Sequence, residues 1–183
     1  THHKRDDLLA IRPKAAWWFL KQALKYFQQK RSGILTSAVA ESGGFIKSRP
    51  NLSRPDLQLH FIPAVFDDHG RDIKMFFNYG VSIHTCLLRP KSRGSVTLFG
   101  NKASLHPKIT LNLLSHEDDQ KDMIQAVKVA RSILAQAPLS DNNGQEIFPG
   151  DNTQSDEEIL AFLKSKANTI YHPVGTCKMG NDG

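Results

Sequence analysis

The stretch of this sequence best suited to chemistry is Tyr171-His172-Pro173-Val174-Gly175-Thr176-Cys177-Lys178-Met179-Gly180. Pro173 biases His172 away from helical geometry, so the imidazole is presented from an extended or turning backbone. The glycines and small residues that follow let main chain approach a flat ligand closely. A histidine fixed in such a turn can act as a general base near neutral pH. Chemistry alone leaves a satisfied structural histidine as the default reading. The eight histidines are otherwise scattered, and none forms a His-x-x-x-His pair on a helix, so a metal site has little support. Gly-x-Gly-x-x-Gly, a phosphate-binding Gly-Lys-Ser/Thr loop and a Gly-x-Ser-x-Gly elbow are all absent. His60 and His84 fall in strand-like runs, where they either face a substrate cavity or are ordinary sheet positions.

The elements that would position these groups follow from periodicity. Residues 13–31 read as a helix: Pro13 suits its first turn, and Gly33 supplies the stop. Ala16, Trp17, Leu20, Ala23, Leu24 and Phe27 share one face of it; Lys14, Lys21 and Lys25 share another, with Trp18 among them. Strand patterns cover 37–47, 57–66, 76–88, 95–98 and 109–114, and their short connections favour antiparallel pairing. Ser115 is the expected N-cap of a second helix whose stripe is Met123, Val127, Ala130, Leu134 and Ala137, ended by Pro138. Ser155-Asp156-Glu157-Glu158 reads as a capping box opening a shorter helix with Ile159, Leu160, Phe162 and Leu163 on its apolar side. The expected fold is α+β: a mainly antiparallel, twisted sheet with helices on one face, forming one domain over residues 1–183.

The order of residues adds a resemblance. Residues 171–180 resemble the C-terminal signature of the glucose-methanol-choline (GMC) oxidoreductases. Arg89-Pro90-Lys91-Ser92-Arg93-Gly94-Ser95-Val96-Thr97-Leu98 is similar to the same family's Arg-Pro-x-Ser-Arg-Gly turn and strand. Gly33-Ile34-Leu35-Thr36, Glu41-Ser42-Gly43-Gly44-Phe45, Pro149-Gly150 and the capping box fall in the order that family uses, so the likeness runs from about Gly33 to Gly180. Within the family it looks nearest to bacterial choline dehydrogenases and membrane-associated dehydrogenases of aliphatic alcohols.

The resemblance implies the substrate-binding part of a two-domain FAD enzyme. His172 would be the base that takes the alcohol's hydroxyl proton while a hydride passes to flavin N5. Val174, Gly175 and Thr176 would lie near the flavin, and His84 near the substrate. The family's dinucleotide fingerprint is missing, as is the downstream segment that would carry a second catalytic His or Asn. The isolated polypeptide is therefore expected neither to retain FAD nor to turn over alcohol.

Charge and cysteine content bound the partners. Ten Lys/Arg against three Asp/Glu within residues 1–49 account for all of the net +6. Trp18 among its lysines either rests at a lipid headgroup surface, as would suit transfer of electrons to a membrane quinone, or packs against another part of a longer protein behind a solvated lysine face. A non-catalytic module using this basic helix to contact a membrane or another macromolecule is the competing reading. Strands lack the aromatic and basic interleaving of a single-strand binder, so no nucleic acid is expected. Arg89 and Arg93 flank a strand entry, where they read as structural residues in ion pairs or turn bonding, with substrate binding the alternative. The two isolated cysteines, Cys86 and Cys177, favour a reducing compartment, with the protein cytoplasmic or peripheral at the inner membrane. Cys177 reads as a buried small side chain, and a Cys177–His172 hydrolase lacks a nucleophile context.

Overall fold

The computed structural model describes residues 1, 13–28, 31–65, 67, 74, 77–176 and 178–181. Its elements run α1 (Pro13–Gln28), a single 3-10 turn (Ile34–Thr36), β1 (Ser42–Ile46), β2 (Leu57–Ile62), β3 (Ser82–Leu87), β4 (Ser95–Thr97), β5 (Lys108–Thr110), α2 (Glu117–Leu134), α3 (Leu139–Asn142) and α4 (Asp156–Lys166).

The expected α+β class holds, and among the described residues the paired strands are all antiparallel, but they form two sheets: β1-β2-β3 and the hairpin β4-β5. The break follows from local bonding. Between β3 and β4 the backbone of Lys91 and Ser92 donates to the Asp119 carboxylate on α2, at 2.9 and 2.7 Å, so this turn is tied to a helix. Gly94 completes the turn. A Cβ there would stand 2.1 Å from the Thr110 carbonyl oxygen, so only glycine lets the two chains meet. The strands are also shorter than their patterns predict. Val39 at φ 70° keeps the 37–47 run from extending before Ser42, and Asn112 and Leu114, at 52° and 56°, end the last strand early. Phe66 and Phe76, within two of the expected strands, lie outside the described residues.

The core lies between the first sheet and the helices. Leu57 and Leu59 of β2 are buried, as are Ile124 and Ala126 of α2 and Ile159 and Leu163 of α4. The expected α2 stripe is displaced. Ile124 is its centre, Met123 and Val127 pack at its margin, and Ala137 is exposed beyond the helix. Periodicity finds one face, but α2 contacts both β3 and α4 and must therefore bury two.

Helix termini also depart from expectation. The N-cap of α2 is His116, not Ser115: its backbone is extended, and Nδ1 accepts the Asp118 amide at 3.1 Å. The helix stops at Leu134, and Pro138 precedes α3. Arg131, in the last turn of α2, forks onto the Glu146 carboxylate and also donates to the Thr153 carbonyl at 2.7 Å, fastening the 144–153 loop beneath the helix. The capping box of α4 forms as expected. Ser155 Oγ accepts the Glu158 amide at 3.2 Å, and the Glu158 carboxylate accepts the Ser155 amide at 2.9 Å. Ser155→Ala should lower stability by about 1 kcal/mol. Urea unfolding reads that loss, and faster amide exchange at residues 156–160 would localise it.

Candidate functional site

The candidate site begins where α4 ends. The Ala167 amide closes the last turn on the Leu163 carbonyl at 2.7 Å. Lys166, just before it, pairs with Asp67 at 2.5 Å and sits 5.0 Å over the Phe148 ring, which stacks on Phe162. The chain therefore leaves α4 from an anchored point. Short-range bonds then turn it: the Asn168 side chain accepts the Thr169 amide at 2.8 Å, and Thr169 Oγ1 accepts the Tyr171 amide at 2.9 Å. Tyr171 adopts φ 68°, and with the restriction that Pro173 places on His172 this sets the angle at which the imidazole leaves the backbone.

His172, Val174, Gly175 and Thr176 come together as one exposed turn. Val174 keeps 92 % of its surface open, and Gly175, at φ 97°, would meet nothing within 4 Å if it carried a Cβ. Cys177 lies outside the described residues.

His84 occupies a different element. Leu59, Phe61 and Ile83 line a cleft with Ile133 and Leu139, which marks the helix side of the first sheet. Alternation places His84, its cross-strand neighbour His60, and the Gln58–Cys86 pair on the opposite side. His84 is half-buried, and the Nε2 of His60 is shut away from solvent with no hydrogen-bond partner. A buried unpaired ring nitrogen costs free energy, and a polar ligand group on that side of the sheet would relieve it. Burial pushes the Cys86 thiol up from its ordinary range, outweighing the opposing bond to Gln58.

Arg89 and Arg93 both bond to backbone: Arg93 donates to the Pro90 carbonyl within the turn, whereas Arg89 reaches across to the Pro55 carbonyl, 34 residues away. Sequence reasoning missed Ser92 and Asp119, which hold that turn in place. Ser92 Oγ donates to Asp119 at 2.6 Å and accepts the His116 amide at 3.1 Å. The Arg-Pro-x-Ser-Arg-Gly pattern points to Ser92, but nothing in sequence separates Asp119 from its acidic neighbours.

Residues 90–183, from Pro90 of the arginine turn through the histidine turn, match the family model described as GMC oxidoreductase. The chain belongs to the GMC oxidoreductases. It is similar to the alcohol dehydrogenase [acceptor] of Pseudomonas putida, 48 % identical over 84 % of this chain and 27 % of that protein. It is also similar to the oxygen-dependent choline dehydrogenase of Klebsiella pneumoniae (strain 342), 35 % identical over 95 % of this chain and 31 % of that protein. A solved formate oxidase from Aspergillus oryzae RIB40 shares the fold, with a TM-score of 0.73 at 22 % identity over 96 % of this chain and 34 % of that one. This GMC oxidoreductase chain thus spans about a third or less of the length of these relatives.

Proposed function

We propose that this chain is the substrate-binding part of an FAD-dependent dehydrogenase that oxidises a primary alcohol, either choline or an aliphatic alcohol, to the aldehyde. The observation that carries the reading is the histidine turn, which presents His172 beside the open backbone of Val174, Gly175 and Thr176 within the matched family region. His172 takes the proton of the substrate hydroxyl as the α-carbon becomes a carbonyl. Bound FAD would supply the two-electron acceptor for the hydride leaving that carbon. Val174, Gly175 and Thr176 would line its flat ring. His84, with His60 beside it, faces the substrate and offers ring nitrogens to its polar end.

The relatives' names, an alcohol dehydrogenase acting with an acceptor and a choline dehydrogenase, support both donor classes. Electrons are passed on to a membrane quinone, with the protein peripheral to the inner membrane. Residues 1–183 form a single domain supplying one wall of the site, so that expressed alone they should purify colourless and inactive.

The test uses the full-length protein that contains this chain. It should purify yellow, and its flavin absorbance should bleach anaerobically on addition of choline or a medium-chain primary alcohol. A colourless protein, or a yellow one that no alcohol in the panel bleaches, overturns the reading.

A further inference from the structure

We propose that the exposed face of α1 is a docking surface for an anionic lipid bilayer. This assigns a contact surface to the peripheral dehydrogenase proposed above and rests on that reading. Trp17, Leu20, Leu24 and Phe27 retain 63, 48, 49 and 81 % of their surface. They form one continuous stripe along about 15 Å of helix. The helix makes its main contact with the 3-10 turn that follows it and leaves this stripe uncovered.

Charge identifies the occupant. Pro13–Gln28 contains no Asp or Glu, and Lys21 and Lys25 stand exposed along one border of the stripe. Lys21 Nζ lies 5.7 Å from the Trp17 ring, with its stem over apolar surface and its ammonium at the edge. The structure thus transfers the lipid-facing role from Trp18, which is half-buried and edge-on to Phe19, to Trp17. Protein interfaces are depleted in lysine, whereas helices lying in a bilayer surface combine an aromatic and aliphatic face with flanking lysines. The surplus positive charge of residues 1–49 adds to the attraction for anionic headgroups. Among the described residues no helix is long and apolar enough to cross a membrane, so α1 lies in the plane of the surface.

Flotation of the full-length flavoprotein with vesicles of phosphatidylcholine plus phosphatidylglycerol, against phosphatidylcholine alone, tests this. The protein should float with the anionic vesicles and be released by salt. Lys21→Glu/Lys25→Glu and Trp17→Ser/Phe27→Ser should each weaken binding at least about tenfold, with alcohol bleaching of the flavin unchanged. Failure of the unsubstituted protein to float, or equal flotation of the variants, overturns the proposal. A Trp17→Ser/Phe27→Ser variant that loses flavin or melts earlier while floating normally would assign the stripe to the rest of the polypeptide. One that changes molar mass while floating normally would assign it to a second copy. Flotation without alcohol bleaching would leave the surface standing and remove the dehydrogenase reading instead.

Discussion

His172→Asn in the full-length enzyme should slow flavin reduction by about 10²- to 10⁴-fold while leaving flavin content and melting temperature unchanged. The magnitude is that of losing a positioned general base. The stability expectation comes from the structure. His172 is exposed on its turn, and surface replacements away from caps and networks usually shift stability by less than about 0.5 kcal/mol. Asparagine can still hydrogen-bond the substrate hydroxyl but cannot accept its proton. Stopped-flow flavin reduction reads the loss of rate, and flavin absorbance and thermal melting read the two quantities that should not change. A variant that bleaches at the original rate would show that the proton leaves by another route.

What the sequence discloses here depends on how far each signal reaches along the chain. The Ser155 capping box is written in consecutive residues and appears where expected. The α2 cap is also local, yet the reading misplaced it by one residue. Serine is the commoner capping side chain, but here the helix-turning bond comes from a histidine ring. Signals that depend on distant partners were less legible. One long antiparallel sheet was a fair reading of five strand patterns, but the Lys91–Ser92 turn binds a helix 27 or 28 residues away and divides it. In α1, spacing alone cannot choose between Trp17 and Trp18, because exposure depends on which side of the helix the rest of the fold covers. The burial of Asp119 among acidic neighbours is the extreme case.

That carboxylate carries the largest expected effect on stability. Asp119 is 3 % exposed and accepts the Lys91 amide, the Ser92 amide and the Ser92 hydroxyl at 2.9, 2.7 and 2.6 Å. Burial pushes its carboxyl up, but these bonds outweigh burial and hold it below the ordinary value of 3.8. Asp119→Ala strands two partly buried amides and should cost about 3 kcal/mol, at 1–3 kcal/mol for each unpaired group. Asp119→Asn keeps an acceptor oxygen but loses the charge and should cost less. The sign of the pH dependence follows from the lowered value. The stabilisation is fully present above about pH 4 and disappears as acid protonates the folded carboxyl at a still lower pH. His116 and the Lys91–Asp118 pair border the site, and Asp122, whose carboxyl burial pushes up, gives up its charge at higher pH than Asp119. Urea midpoints near neutrality and near pH 3 should therefore show the Asp119→Asn deficit shrinking in acid. An equal deficit at both would assign the effect to hydrogen bonds alone, and no deficit would detach the turn from α2. The latch acts at the first turn of α2, whereas His172 follows α4. Asp119→Ala should thus weaken the fold at one end of the helix layer, and His172→Asn should remove chemistry at the other without weakening it.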